Sequence, residues 1–98
     1  MLALGWLDPS SPTAEWDSAQ VRRLARQLGY TLRWADSGSM NGLVDQAMSS
    51  GADVVLLPST GHLDEATLQR IIAFVDIECA APRTSINRWS AMDATTRR

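Results

Sequence analysis

At 98 residues the chain has the length of one small domain. Hydrophobic residues make up 45% and charged residues 20%, with a formal net charge of −2. That balance is ordinary for a globular protein, and the longest apolar stretches, such as Val54–Pro58, are far short of the roughly 18–20 residues a membrane span needs. All nine basic residues are arginine, which excludes lysine chemistry such as P-loop phosphate binding or Schiff-base formation. One cysteine, Cys79, and one histidine, His62, exclude an internal disulfide and a structural zinc site.

In chain order, Leu2–Leu7 is a short apolar run that ends at Asp8-Pro9 and reads as a buried strand. The segment Met1–Leu7 has no basic flank and meets Asp8 too early for a secretory signal, so a cytoplasmic protein is expected. Ser11-Pro12 reads as a helix start, with Ser11 as N-cap, Pro12 in the first helical position, and Glu15 and Asp17 as first-turn acids. Val21, Leu24, Ala25 and Leu28 recur at helical spacing, Arg22, Arg23 and Arg26 lie elsewhere on that helix, and Gly29 is the expected stop. Tyr30–Ala35 is a second strand and Asp36-Ser-Gly38 a turn. Met40, Leu43, Val44, Ala47 and Met48 form the stripe of a second helix, closed by Gly51.

Asp53–Pro58 has the uninterrupted apolar character of a central parallel strand covered on both faces. The loop Ser59–His62 follows, then a third helix carrying Leu68, Ile71, Ile72 and Val75, then a fourth strand over Asp76–Cys79. The order β-α-β-α-β-α-β predicts an α/β fold, a small three-layer sandwich with a mostly parallel sheet of flavodoxin-like type. Residues 1–82 are expected to form this domain. Residues 83–98 are expected to be a basic tail, either a short helix or disordered, with Ile86, Trp89 and Met92 at helix-like spacing. The division is also electrostatic. Residues 1–82 carry five arginines against ten acids, a net −5, whereas residues 83–98 carry four arginines against Asp93, a net +3.

Ligands of such sheets bind at the carboxyl ends of the strands. That edge gathers the loops Asp8–Ser11, Asp36–Ser39 and Ser59–Glu65, and so an acidic rim of Asp8, Asp36, Asp64 and Glu65. These acids match Mg²⁺ chemistry, but first-turn acids are also the ordinary complement of a helix dipole, and no metal is expected. Ser10, His62 and an acid (Asp8 or Asp36) are the makings of a hydrolytic triad. No Gly-x-Ser-x-Gly elbow surrounds Ser10, however, and a lone loop histidine is ordinarily exposed. The first turn lacks a glycine-rich dinucleotide loop, the tryptophans read as core, and no cofactor is expected.

Four segments in order resemble the N-terminal catalytic domain of the serine recombinases, the resolvase/invertase family, over about residues 2–76. They are Gly5-Trp-Leu-Asp-Pro-Ser-Ser11, Gln20-Val-Arg-Arg-Leu with Leu28-Gly-Tyr30, Asp36-Ser-Gly-Ser39, and Gly51-Ala-Asp-Val-Val-Leu-Leu-Pro-Ser59. The resemblance implies a resolvase-like fold and places the family's nucleophilic serine on Ser10. It also implies a lost phosphate clamp. A family arginine falls on Asp8, the second motif's aspartate on Gly61, and its arginines on His62 and Glu65, with only Leu63 matching. Phosphoryl transfer rests on cationic stabilisation of spread charge, and one missing donor typically costs about 3 kcal/mol.

The expected function is therefore a non-catalytic, serine-recombinase-like interaction or regulatory module that binds a protein partner or itself. Its contact surface is placed on Trp89, Ile86 and Met92. Two alternatives stay open. One is a DNA-binding accessory of recombination that uses Arg83, Arg88, Arg97 and Arg98, although a net +3 over this tail is weak for nucleic acid. The other is a small hydrolase or phosphate-processing enzyme at Ser10 and His62.

Overall fold

A computed structural model describes residues 1–36 and 38–86. In chain order they form β1 (Leu2–Gly5), α1 (Ala14–Leu28), β2 (Thr31–Trp34), α2 (Met40–Ser49), β3 (Val54–Leu57), a 3₁₀ turn (Thr60–His62), α3 (Glu65–Ile72), β4 (Asp76–Ala80) and β5 (Arg83–Ile86). The strands make one sheet in the order β2-β1-β3-β4-β5. The first four are parallel and β5 is antiparallel to β4, with Ile77 opposite Ile86. This is the α/β three-layer sandwich expected. The strand order reverses between β1 and β3, as in flavodoxin-like sheets, so the switch point lies where the β1 and β3 loops meet.

The two faces of the sheet differ. Alternation sends Leu4, Val55, Leu57, Ile77 and Cys79 to one face, where they pack with Leu43, Val44 and Ala47 of α2 and Leu68, Ile71 and Ile72 of α3. On the other face, among the described residues, one helix packs: Ala3, Val54 and Leu56 lie against Val21, Leu24 and Ala25 of α1. β3 is buried at all four positions because it lies between both helical layers. Gly5 is required by close approach. A Cβ there would lie 2.9 Å from Trp34 Cε3 and 3.0 Å from Leu32 Cδ1, so the indole lies over the glycine across the β1–β2 pair. Gly29 ends α1 in the left-handed conformation at φ 77°, and its N–H returns to the carbonyls of Ala25 and Arg26.

Two expectations change. First, α1 begins at Ala14 with Thr13 in the cap position, and no side chain caps it. Ser11 is not the N-cap, because its hydroxyl donates to the Asp17 carboxylate at 2.6 Å. Second, the sheet runs past residue 82. Arg83–Ile86 is the edge strand β5, reached through a turn at Ala81-Pro82 whose Ala81 N–H donates to the Pro58 carbonyl at 2.7 Å. Ile86 is thereby part of a strand, half-buried against the α2–α3 core, and does not belong to an exposed helical stripe. Arg83 is paired with Glu78 at 2.7 Å. Trp89, Met92, Arg88, Arg97 and Arg98 lie outside the described residues.

Candidate functional site

The parallel strands deliver the Asp8–Ser11 loop, the loop after β2 and the Ser59–Glu65 segment to one edge, as the sequence indicates. Ser10 lies exposed in the first of these. Its hydroxyl donates to Asp8 Oδ1 at 2.8 Å and its backbone N–H donates to the same oxygen at 2.9 Å. These two bonds, the backbone one first, hold the Asp8 carboxyl below its usual range. The Ser11 N–H closes the turn onto the Asp8 carbonyl at 3.0 Å. The loop is thus organised around the Asp8 carboxylate, at the position where the recombinase resemblance expects a cation.

His62 is not an exposed loop residue. Its side chain retains 12% exposure, and both ring nitrogens face protein groups. The Asp8 backbone N–H donates to Nδ1 at 2.9 Å, so that nitrogen carries no proton and the ring's N–H is Nε2. Nε2 lies 3.5 Å from Asp17 Oδ2. Asp17 is 4% exposed and the same oxygen accepts the Ser11 hydroxyl at 2.6 Å and the Thr13 hydroxyl at 3.1 Å. The Trp6 indole N–H completes the clasp by donating to the His62 carbonyl at 3.2 Å. This network ties the β1–α1 loop to the 3₁₀ turn across more than fifty residues of sequence.

The geometry separates the triad candidates. Ser10 Oγ is turned to Asp8, and no described hydrogen bond joins it to His62. A general base must reach the proton it removes, and here the unprotonated nitrogen, Nδ1, accepts a main-chain N–H. The histidine's carboxylate partner is Asp17, which in the sequence reads only as a first-turn acid. The remaining rim acids serve their own loops. Asp64 caps α3, accepting the Thr67 N–H at 2.7 Å, and hydrogen bonding to Thr67 lowers its pKa. Glu65 accepts from Gln69 at 3.5 Å. Asp36 is held through its backbone N–H by Gln46 at 2.8 Å. Among the described residues no three His, Cys, Asp or Glu side chains come together to hold a metal. Cys79 of β4 is buried in the core beneath α2 and α3, and desolvation pushes its thiol pKa up to about 11, which makes it unreactive near neutrality.

No described hydrogen bond or ion pair brings an arginine to Asp8–Ser11. Arg70 donates to Asn41 at 2.9 Å and Arg83 pairs with Glu78. Arg22 and Arg26 stand on the exposed side of α1, where they flank a groove of about 320 Å³ floored by Ala25, Tyr30, Leu32 and Trp34. Sequence reasoning noted these arginines as off the apolar stripe and missed the groove. The available signal was two arginines four residues apart on the helix, followed by Tyr30, Leu32 and Trp34 on alternate positions just before and along β2.

Compared with protein families, with curated proteins and with solved structures, the chain matches none. No helix among the described residues is long and apolar enough to cross a membrane.

Proposed function

We propose that the chain is a non-catalytic, serine-recombinase-like domain that works as a protein-interaction module. The observation that carries this reading is the use made of the Asp8–Ser11 loop. The serine at the family's nucleophile position donates its hydroxyl to a carboxylate, and no described arginine bonds to that loop. A phosphate brought there meets Asp8 with its charge fully expressed, so repulsion replaces the stabilisation that phosphoryl transfer requires. His62 and Asp17, the other pair with catalytic chemistry, are spent on holding the loop in place.

The test is a single-turnover assay for covalent attachment to supercoiled plasmid DNA, run beside labelling with an activated phosphonate. The reading expects no protein–DNA adduct and no label that depends on Ser10. An adduct lost in Ser10→Ala returns the chain to recombinase chemistry. Phosphonate labelling lost in Ser10→Ala and in His62→Ala makes it a hydrolase.

A further inference from the structure

We propose that the α1–β2 flank is a docking site for an extended acidic peptide segment, which adds to the sheet as a strand beside β2. This rests on the reading of the chain as an interaction module and names its surface and partner.

Three observations converge on the flank. β2 is one of the two outer strands of the sheet. The N–H groups of Thr31 and Ala35 are bonded to the carbonyls of Met1 and Gly5, so the alternation of a parallel ladder turns those of Leu32 and Trp34 outward. An edge of this kind accepts another strand through main-chain hydrogen bonds, with pockets for alternate side chains giving selectivity. Next, Leu32 and Trp34 are only half-buried and, with Tyr30, floor the 320 Å³ groove beside that edge. Last, the charge is one-sided. Arg22 and Arg26 border the groove, Arg33 is exposed on the opposite face of β2, and none of the three has an ion-pair partner among the described residues.

Side chains of an added strand alternate between the two faces. Those on the groove side meet the apolar floor between two guanidinium groups, and those on the other side meet Arg33. The matching partner has apolar residues flanked by acids on one face and acids on the other. The edge favours this segment over a nucleic acid strand, because the outward N–H groups of Leu32 and Trp34 have their natural complement in another peptide backbone.

The test uses the full chain and a fluorescein-labelled peptide of sequence Asp-Glu-Phe-Glu-Ile-Asp-Glu, followed by fluorescence anisotropy at low and at moderate salt. The wild type is expected to bind, more weakly as salt rises. The exposed double substitution Arg22→Glu with Arg26→Glu is expected to weaken binding at least tenfold. Arg23→Glu, on the same helix but outside the groove, is expected to change it less than twofold. A peptide with lysine in place of every acid should not bind. No binding by the wild type overturns the proposal, as does equal loss in Arg23→Glu. Binding of an eight-nucleotide thymidine oligonucleotide through Arg22 and Arg26, without the peptide, reassigns the flank to nucleic acid. These outcomes are independent of the covalent-attachment assay, so failure of the docking site is distinguishable from failure of the non-catalytic reading.

Discussion

The two faces of the sheet do different work. Under α2 and α3 the apolar side chains form a continuous layer from Leu4 and Trp6 to Ile77 and Cys79, joined at the far edge by Ile86 of β5. Under α1 the layer is narrow, and among the described residues one helix packs on this face of a five-stranded sheet. The flank at β4–β5 is polar: Glu78 meets Arg83 and accepts the Ser85 hydroxyl. The flank at β2 is apolar at its floor and cationic at its border. The thick face is committed to stability. The thin face carries the docking surface proposed above.

That contrast breaks first if the thick face is hollowed. Ile77→Ala, at a fully buried position, is expected to cost about 2–5 kcal/mol in denaturant unfolding, because the neighbouring side chains refill the cavity only in part. A cost below 1 kcal/mol would show that this face is not the main core. On the thin face, Gly5→Ala is expected to cost about 1–3 kcal/mol through its clash with Trp34. Combining it with Trp34→Ala should give less than the sum of the two single effects, and additive behaviour would remove the contact from the account.

The clasp at the carboxyl edge is the next in size. Asp17→Ala leaves the Ser11 and Thr13 hydroxyls without their acceptor and takes the carboxylate away from His62, and it is expected to lower stability by about 1–3 kcal/mol. Thermal unfolding of the variant checks it. Arg83→Ala removes an ion pair whose arginine side chain is 44% exposed, and it should change stability by no more than about 1 kcal/mol.

The smallest effect concerns acid. The folded-state pKa values of Asp8 and Asp64 lie below the usual 3.8. Each therefore contributes stability that is present above 3.8 and is lost as pH falls through the lowered folded value. In Asp64→Asn the share due to Asp64 should vanish from the acid limb of a stability–pH profile. An unchanged acid limb would contradict the assignment.

Most of the fold was legible in sequence because its signals are local. The β-branched and apolar run Val54–Leu57 suits a strand buried on both faces, the spacing of Leu43, Val44 and Ala47 suits a helix, and Gly29 marks where α1 stops. β5 was hidden because Arg83-Thr-Ser-Ile86 has one large apolar residue, and that residue also fits a helical period with Trp89 and Met92. Only pairing with β4 decides its state. The edge loops were placed correctly by topology, but their chemistry was not. Asp17 reads as a dipole-matching acid until tertiary structure brings His62 to it, and Ser11 reads as a cap until that same carboxylate takes its hydroxyl. The groove at β2 depends on which residues of α1 face which residues of an adjacent strand, a relation that hydrophobic period alone does not specify.

The central claim is that partners meet the thin face while the carboxyl edge serves only structure. An amide NMR titration of the full chain with the acidic heptapeptide tests it most directly. The account predicts shift changes at Arg22, Arg26, Leu32, Arg33 and Trp34, with Asp8, Ser10, Ser11 and His62 unmoved. Changes centred on the Asp8–Ser11 loop and His62, with the β2 flank silent, would contradict it.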